Sequence, residues 1–515
     1  MSQSYDLIIL GGGPGGYVAA IRAAQLGLKV ALVEREHLGG VCLNWGCIPT
    51  KALLRNAEIA RLVTGGGKEF GFAAENVTLD YAAAVERSRK ISARLVKGVE
   101  LLMKGNAIEV IWGSGRLTSP TSVEVALNDG AVQTLEAQHI ILATGSRARL
   151  IPGVEADGET ILTARHALAR RELPASAVII GAGPIGLEFA TVWASYGAQV
   201  TVVEMLDHIL PAEDEDAAKE LARSLKRQKI KTLESTRVEG IEKTETGVTV
   251  RVTGPKGESV LEAEVALVAI GVRPNSEDLA LEAAGVVTER GWVKVDGFMQ
   301  TNISSIYAIG DLNGLLPLAH VASAQGILAV EHLSGQATQP FDVNAMPRGT
   351  YTSPQVASFG LSEAKALEQG LAVKVGQFPF LPNGKALGLG ENAGFVKVVA
   401  EEQSHAIVGA VIVGPEATEL LPELVLAHTA GLSPHDIAAT VHAHPTLNEA
   451  VMEAADRGVK VRFLIDDISV GKVQRCLVAL DGTDNIKVKI FNPFSRGNQF
   501  IVSRIIAFFS HFKRN

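Results

Sequence analysis

The sequence predicts an α/β fold in which two copies of one βαβ unit precede a smaller α+β region. The first observation is length, because 515 residues exceed what one core organises and suggest three or four domains. The second is composition, with 47% hydrophobic and 20% charged residues and an unusually high share of glycine. The third is an internal repeat of an apolar strand, a glycine-rich turn, a helix and a second strand.

The two copies of the repeat match at one constant spacing along the chain. Gly11, Gly13, Gly16, Gly27, Val30 and Glu34 correspond to Gly181, Gly183, Gly186, Gly197, Val200 and Glu204. Glycines in such a turn let the chain bend, let a pyrophosphate approach the backbone and let helix and strand pack closely. A single G-x-G-x-x-G is weak evidence, but two copies between an apolar strand and a helix predict two Rossmann-like dinucleotide-binding domains.

Each copy ends in a carboxylate suited to a ribose. Glu34 and Glu204 follow the second strand of their units, where an acidic side chain accepts hydrogen bonds from ribose hydroxyls. The N-terminus of the helix after each turn offers free N–H groups and a favourable dipole to the phosphates. A carboxylate at Glu204 repels a 2′-phosphate, so the second site favours NAD over NADP.

Two of the three cysteines, Cys42 and Cys47, lie five residues apart after the first repeat. In a regular α-helix such residues have Cα atoms about 8.6 Å apart, whereas a disulfide requires less than about 7 Å. A cross-link therefore requires an irregular backbone, which Gly46 permits, and Pro49 can begin a new helical turn. A thiolate at that helix N-terminus is stabilised by the helix dipole and by Lys51.

Three interpretations of the pair are open: two small buried hydrophobic residues, a metal site, or a redox centre. Burial alone explains neither the spacing nor the neighbouring Gly46 and Lys51, and no further Cys or His stands nearby in the sequence to complete a metal site. The redox interpretation is favoured. A nicotinamide gives up a hydride, a disulfide takes up two electrons and two protons, and a flavin mediates between them.

Charge and hydropathy exclude other classes of protein. A formal net charge of -8 opposes nucleic-acid binding, which requires a surplus of Lys and Arg. Three cysteines cannot form the framework of a secreted disulfide-rich domain, and the N-terminus has no export signal. The longest uncharged run, 312–330, contains polar residues and a proline and fits a buried loop and helix. We expect a cytoplasmic protein without a transmembrane segment.

Further segments carry a family resemblance that extends from about residue 4 to about 459. They are Ala-Thr-Gly at 143–145, A-I-G-V-R-P-N at 269–275, Ile-Gly-Asp at 309–311, Tyr-Thr-Ser-Pro at 351–354 and H-A-H-P-T-L-N-E at 442–449. With them the chain resembles class I of the pyridine-nucleotide disulfide oxidoreductase family. The members that it resembles most oxidise dihydrolipoamide on the lipoyl domains of 2-oxo acid dehydrogenase complexes.

The resemblance implies a homodimer with FAD in the first unit and NAD in the second. Cys47 would face the flavin and Cys42 would exchange with dihydrolipoamide, while His444 from the partner subunit, oriented by Glu449, would be the base. The implied FAD contacts are Gly11, Gly13, Gly16, Glu34, Lys51, Gly115, Thr144, Gly145, Ser146, Asp311 at the ribityl chain, and Ala319. The implied NAD contacts are Gly181, Gly183, Gly186, Glu188, Glu204, Val238 and Gly271.

Repeat and resemblance together divide the chain into five parts. They are an FAD-binding domain at 1–148, an NAD-binding domain at 149–276, a central domain at 277–346 that returns to the first, a C-terminal α+β dimerisation (interface) domain at 347–459, and an extension at 460–515. The alternatives are a glutathione-type reductase or mercuric reductase, which prefer NADPH, and a flavoprotein with a structural or binding role. A glutathione-type reductase is opposed by Glu204, and mercuric reductase by the missing C-terminal Cys pair. A structural or binding role is opposed by the retained Cys42, Cys47, His444 and Glu449.

The extension differs in composition from the rest of the chain. Residues 460–515 contain ten Lys/Arg and four Asp/Glu, a balance of +6, so residues 1–459 carry -14. Strands at 477–480 and 486–491 around Asp481-Gly482 suggest a hairpin, and Ile501, Ile505, Phe508 and Phe512 form a helical stripe. We expect an appended segment that packs on the dimer or is loosely ordered, rather than a membrane- or partner-binding helix, and that is dispensable, with Cys476 inert.

Overall fold

The first repeat opens a six-stranded sheet in the computed structural model, which describes residues 3–457 and two further strands at 461–465 and 486–490. Leu7 to Leu10 pair in parallel with Val30 to Val33 on one side and with His139 to Leu142 on the other. These strands are buried because helices cover one face of the sheet, and the segment 279–293 together with neighbouring strands covers the other. The elements are β1 (Gln3–Leu10), α1 (Pro14–Gln25), β2 (Val30–Glu34), α2 (Gly40–Trp45), α3 (Cys47–Arg61), a π-helical turn (Leu62–Gly66), α4 (Tyr81–Gly105), β3 (Glu109–Ser119), β4 (Ser122–Leu127), β5 (Val132–Leu142) and β6 (Ser146–Ala148).

The second repeat lies in a five-stranded parallel sheet, and a separate three-stranded antiparallel sheet is inserted in the chain before the last strand of that parallel sheet. The elements are β7 (Ile161–Leu162), α5 (Ala164–Ala169), β8 (Ser176–Ile180), α6 (Pro184–Ser195), β9 (Gln199–Val203), α7 (Glu215–Arg227), β10 (Lys231–Leu233), β11 (Arg237–Lys243), β12 (Val248–Gly254), β13 (Gly257–Ala263), β14 (Val265–Val268) and β15 (Val272–Pro274). The parallel sheet has the order β10-β9-β8-β14-β7, and β15 pairs with β6, so that the two units are joined.

The chain then returns to the first sheet. The elements of this part are 3₁₀ turns at Glu277–Leu279 and Gly310–Asn313, β16 (Thr288–Glu289), β17 (Trp292–Val293), β18 (Ile306–Ala308) and α8 (Ala319–Leu333). Strand β18 pairs in parallel with β5 and places the 310–313 turn at the end of the sheet where the first glycine turn lies. Helix α8 packs against α1 so closely that a Cβ added at Gly326 would lie 2.7 Å from the Gly15 carbonyl oxygen.

The last described unit is an antiparallel sheet with helices against it, and it has its own apolar core. Its strand order is β19-β20-β23-β22-β21. The elements are β19 (Arg348–Thr350), β20 (Gln355–Gly360), α9 (Glu363–Glu368), β21 (Val373–Pro379), α10 (Gly384–Leu389), β22 (Phe395–Glu401), β23 (Ile407–Gly414), α11 (Ala417–Thr429), α12 (Pro434–Ala439) and α13 (Glu449–Arg457). The predicted division of the chain into five domains stays a prediction.

A buried lysine joins this sheet to the second unit. The Lys397 ammonium lies 3.1 Å from Asp214 Oδ2 and 2.7 Å from Asp216 Oδ2, at the N-terminus of α7. Burial acts to lower the pKa of Lys397, but the hydrogen bond that it donates to Asp216 and the charge of Asp214 raise the pKa overall, so the ammonium stays charged. The antiparallel sheet is thereby fixed to α7 by a paired interior charge.

Beyond residue 457, β24 (Val461–Ile465) pairs in parallel with β25 (Ile486–Ile490). The second strand of the predicted hairpin therefore exists, and its described partner is β24. The predicted strand at 477–480, the Asp481-Gly482 turn, the stripe at 501–512 and Cys476 lie outside the described residues. Among the residues that are described, no helix is long and apolar enough to cross a bilayer.

Candidate active site

The two glycine turns have the same backbone geometry. Gly11 has φ +108° and Gly181 has φ +101°, a region that side chains disfavour. A Cβ added at Gly11 would lie 2.3 Å from the Ala143 carbonyl oxygen, and one at Gly181 would lie 2.5 Å from that of Ala269. Both positions therefore require glycine, for the reason that the sequence predicts.

The two ribose carboxylates occupy matching positions. Glu34 Oε2 accepts a hydrogen bond of 2.7 Å from the Gly12 N–H, and Glu204 Oε2 accepts one of 2.8 Å from the Ala182 N–H. In each case the other oxygen accepts from the N–H two residues later along the chain. Because each carboxylate oxygen has two acceptor sites, both residues keep capacity for ribose hydroxyls.

The backbone of each turn fits a dinucleotide. Helices α1 and α6 begin directly after Gly13 and Gly183, which have no side chain that could cap them, and their first turns lack acidic residues among the positions described. Their leading N–H groups therefore remain for phosphate oxygens. A Cβ added at Gly183 would meet no described atom within 4 Å, so space for a ligand is present beside the backbone.

The first site gains a second wall from the turn that precedes α8. Asp311 accepts a 2.6 Å hydrogen bond from Ser146 Oγ, and burial raises the pKa of the Asp311 carboxyl. Gln325 holds this turn by accepting from the Gly310 N–H at 2.7 Å. A half-buried carboxylate with one strong donor fits a second donor such as a ribityl hydroxyl. Ser146 and Asp311, predicted separately from sequence, are thus brought together.

The other predicted cofactor contacts lie around the two turns. Thr144 Oγ donates to the Asn275 carbonyl at 2.9 Å, and the Asn275 amide donates back to the Thr144 carbonyl at 2.9 Å, which couples β6 to β15. Gly145 and Gly271 both have positive φ. The remaining positions are Gly115 in β3 against Leu10, Ala319 as the first residue of α8, and Val238 beside a bulge in β11.

The helix is broken between the two cysteines, as the sequence predicts. Helix α2 ends at Trp45, and α3 begins at Cys47, which is two residues before the predicted start at Pro49. Gly46 has φ -142° and ψ -116°, and a Cβ added there would lie 2.8 Å from the Val41 carbonyl oxygen. The break therefore depends on glycine, and it lets the two side chains meet.

Both cysteines are free thiols that share a hydrogen bond. That hydrogen bond lowers the pKa of Cys47, and Lys51 lowers it further, while burial opposes both effects. The same hydrogen bond raises the pKa of Cys42 strongly, and burial adds to it. Of the two thiols, Cys47 is therefore the one that loses its proton more readily, and Cys42 keeps its proton.

Lys51 is the point where three units meet. Its ammonium lies 2.9 and 2.8 Å from the two carboxylate oxygens of Glu188 on α6, and 4.6 Å from the centre of the Tyr351 ring. The Tyr351 N–H donates to Glu188 at 2.9 Å. Burial acts to lower the pKa of Lys51, but Glu188 and the Cys47 thiolate raise it on balance, so Lys51 is a fixed cation beside the thiolate.

The predicted base lies on a different surface of the same chain. His444 Nδ1 lies 2.8 Å from Glu449 Oε1, and the Thr446 N–H donates to Glu449 Oε2 at 2.8 Å. The His444 side chain is 72% exposed. Within the described part of this chain, no hydrogen bond or ion pair joins His444 to Cys42 or Cys47.

A second histidine–carboxylate pair stands beside it and is missed by the sequence analysis. His442 Nε2 lies 2.9 Å from Glu423 Oε1 on α11, and Asn448 Nδ2 donates to Glu423 Oε2 at 2.8 Å. In the sequence, His442 and Asn448 carry no signal beyond their place in the segment 442–449. Glu423 carries no sequence signal, because only packing brings α11 to this loop.

Comparison with known proteins defines the class. The chain belongs to the pyridine nucleotide-disulphide oxidoreductase family, whose model matches residues 5–326, and the family's dimerisation domain matches residues 346–455. It is accordingly a flavoprotein oxidoreductase that uses FAD and NAD.

Several curated relatives share one name. Proteins named dihydrolipoyl dehydrogenase from Mycobacterium tuberculosis (strain ATCC 25618 / H37Rv) and Zymomonas mobilis are 48% identical over 451 residues and 44% identical over 456 residues. The alignments cover 87% and 88% of this chain and 97% and 98% of the relatives. The one from Bacillus subtilis is 44% identical over 465 residues, 88% of this chain and 98% of that protein.

Solved structures agree with this fold. LpdA from Mycobacterium tuberculosis superposes with a TM-score of 0.82 at 29% identity, over 88% of this chain and 99% of LpdA. The HOCl-induced flavoprotein disulfide reductase RclA from Escherichia coli, as a Cu(II) complex, superposes with a TM-score of 0.78 at 25% identity, over 89% of this chain and all of RclA.

Proposed function

We propose that this chain oxidises dihydrolipoamide carried by the lipoyl domains of 2-oxo acid dehydrogenase complexes and reduces NAD. The observation that carries the proposal is the break at Gly46, which brings the two thiols together and places Cys47, with its lowered pKa, beside Lys51. Relatives 44% to 48% identical over nearly their whole length, all named dihydrolipoyl dehydrogenase, support the substrate assignment. We propose that the reaction takes place in the cytoplasm.

The reaction begins with the Cys42–Cys47 disulfide. A thiolate of dihydrolipoamide attacks the Cys42 sulfur, which forms a mixed disulfide and releases Cys47 as the thiolate. The second substrate thiolate then attacks the substrate sulfur bound to Cys42, which closes the lipoamide ring and releases Cys42, and Cys42 becomes a thiol by taking up one of the two protons that the substrate loses. The dithiol holds the two electrons, and FAD, when bound, would supply the redox chemistry that links the dithiol to NAD.

The chain's own groups stabilise each charge. Lys51 holds the Cys47 thiolate, and Glu188 fixes Lys51 through two hydrogen bonds, so the cation does not move as the thiolate forms and disappears. The hydrogen bond from Cys42 keeps the proton on the sulfur that must leave as a thiol. Gly11, Gly13, Gly16, Glu34 and the other predicted FAD contacts would bind FAD, and the predicted set around Gly181 and Glu204 would bind NAD.

His444 of a second subunit would take the substrate protons. Glu449 binds its Nδ1, which leaves Nε2 for the proton in the tautomer that a base requires. The unit that carries His444 also exposes large apolar side chains, including Leu426 at 67% and Val441 at 95%. Apolar surface of this kind marks a face that another subunit covers, which supports a homodimer with two shared active sites.

The test is a comparison of substrates followed by mixing of subunits. We expect faster turnover of dihydrolipoamide with NAD than of glutathione disulfide with NADPH, and the reverse preference would overturn the proposal. His444→Gln should lower dihydrolipoamide oxidation by about 10² to 10⁴-fold but leave NADH-driven reduction of ferricyanide intact. His435→Gln, on α12 and exposed, is the control.

Subunit mixing tests the shared site. Cys42→Ser and His444→Gln proteins are each inactive, but dissociated and reassociated together they form heterodimers with one complete site. We expect recovery of about a quarter of the wild-type rate, since half of the dimers are mixed and each has one of two sites. If the mixture stays inactive although mixed dimers form, His444 acts within its own subunit or not at all.

A further inference from the structure

Trp45 is the last residue of α2 and directly precedes Gly46. Its side chain is held by two others. The Arg165 guanidinium carbon lies 3.9 Å from the centre of the Trp45 ring, within the range of a cation–π interaction. The His37 ring meets the same indole edge-on, with ring centres 5.5 Å apart and planes at 70°. The side chain just before the helix break is therefore fixed.

Arg165 reaches Trp45 from the second unit. It lies in α5, which follows β7 of the five-stranded parallel sheet. Its guanidinium also forms an ion pair with Glu36, two residues after the ribose carboxylate Glu34. The hydrogen bond from Arg165 lowers the pKa of Glu36. One arginine thus connects the NAD-binding unit to both the segment that follows β2 and the redox segment.

Asn44, which directly precedes Trp45, is fixed by contacts within the first unit. Asn44 is buried, and its amide donates to the Leu38 carbonyl at 3.0 Å and to the Gly40 carbonyl at 2.9 Å. Arg89 on α4 donates to the Asn44 carbonyl. Gly46, which follows Trp45, has no side chain, and its carbonyl accepts a 2.6 Å hydrogen bond from Thr50 Oγ1 on α3. Gly46 is thereby held to α3, and the position of Cys42 relative to Cys47 depends on how Asn44 and Trp45 hold the end of α2.

We infer that Arg165 is a positioning residue that holds the 42–47 segment, through Trp45, in the geometry in which the two sulfur atoms meet. The inference rests on the proposed function, because it assumes that Cys42 and Cys47 form the redox disulfide. Two thiols held close form a disulfide more readily than two thiols on a looser segment, since less conformational freedom is lost. Loss of the Arg165 contact should therefore make the disulfide easier to reduce.

The expected change follows from the strength of the contact. A cation–π interaction at a partly exposed site corresponds to about a two- to fivefold change in an equilibrium constant. We expect Arg165→Leu to lower the equilibrium constant for disulfide formation by this factor, and Arg165→Lys to lower it less. In this exchange, two protein thiols react with oxidised dithiothreitol to form the protein disulfide and reduced dithiothreitol.

The experiment uses the full-length FAD-loaded protein in dithiothreitol redox buffers. Free Cys42 and Cys47 are trapped with a thiol-alkylating reagent and quantified by mass, and the unfolding temperature is recorded for each variant. Arg170→Leu is the matched control, because Arg170 ends the same helix but bonds to Glu264 at 2.7 Å and to the Glu159 and Glu172 carbonyls. It should lower the unfolding temperature without changing the disulfide equilibrium.

A double-mutant cycle isolates the Trp45 contact. In a Trp45→Leu background, Arg165→Leu should have no further effect on the disulfide equilibrium. The inference is overturned if Arg165→Leu changes the equilibrium no more than Arg170→Leu does, or if its effect persists without Trp45. If the wild-type pair forms no disulfide at all, the proposed function fails instead, so the two failures are distinguishable.

Discussion

The two glycine turns share a backbone and differ in what surrounds them. Gly11 and Gly181 have nearly the same φ, and Glu34 and Glu204 accept the same pair of backbone hydrogen bonds. Over the first turn, however, the chain later adds Asp311, its bond to Ser146, and α8 packed on α1. Beside the second turn, Ile185 is 41% exposed, whereas Gly15 at the matching position of the first turn is buried.

The difference affects how readily a bound ligand exchanges, and not which ligand is recognised. We call the first turn, over which Asp311, Ser146 and α8 lie, the covered turn, and the second the open turn. A ligand on the covered turn must pass these later elements to leave, whereas a ligand on the open turn leaves directly into solvent. The same βαβ turn therefore suits a retained flavin where later elements cover it, and an exchanging nicotinamide where they do not. Three sets of substitutions, in order of decreasing effect, test this interpretation.

The largest effect is expected from an added methyl group at the third glycine of each turn. A Cβ at Gly16 would lie 1.8 Å from the Gly11 carbonyl oxygen, and one at Gly186 would lie 2.1 Å from the Gly181 carbonyl oxygen. Similar strain of about 1–3 kcal/mol is imposed on both units. Gly16→Ala should yield colourless protein, while Gly186→Ala should remain yellow and bind NAD at least about tenfold more weakly.

Absorbance at the flavin band and NAD titration measure the two outcomes separately. If Gly186→Ala also loses its flavin, the two turns do not act as independent sites and the comparison fails.

A smaller effect is expected from removing one ribose carboxylate. Glu204→Gln loses charge-assisted hydrogen bonds worth about 1.5–3 kcal/mol, so the Kd for NAD should rise by about 10- to 100-fold. Flavin content should not change, because Glu204 serves only the open turn. Glu34→Gln is the counterpart and should weaken FAD while leaving NAD binding intact. Equilibrium titration of FAD and of NAD with both variants measures whether Glu34 serves only FAD and Glu204 only NAD.

The smallest effect is expected at Lys51, which touches both units. The lowered pKa of Cys47 means that its thiolate persists above that pKa and is lost as the pH falls through it. The stability that the thiolate contributes is complete above the unfolded-state pKa and disappears over the same fall. Lys51→Met removes a cation and should move the pH midpoint of Cys47 alkylation upward in the reduced protein.

Lys90→Met, at an exposed position on α4, should leave that midpoint unchanged. If Lys51→Met weakens NAD binding and leaves the alkylation profile in place, the ion pair with Glu188 serves the open turn instead.

Features governed by local chemistry were accessible from the sequence. The glycines at positions 11 and 181 were predictable because a positive φ and a close carbonyl require them. The break at Gly46 was predictable because a regular helix cannot bring residues 42 and 47 together. In each case the constraint acts within a few residues, so the pattern along the chain contains the information.

Features governed by distant packing were not accessible. Arg165 and Trp45 are 120 positions apart, and nothing in either neighbourhood indicates a stacked pair. Glu423 meets His442 only because α11 folds against that loop. The described partner of β25 is β24, in parallel, a pairing that a turn motif does not predict. Such contacts are properties of the assembled fold.

The buried Lys397 affects how the molecule comes apart on heating. If the antiparallel sheet separated from α7, an ammonium that is now paired with Asp214 and Asp216 would be left without partners, at a cost of about 3–5 kcal/mol if it stayed desolvated. An intermediate with one unit melted and the other intact is thereby penalised. The two units should therefore melt in one cooperative transition.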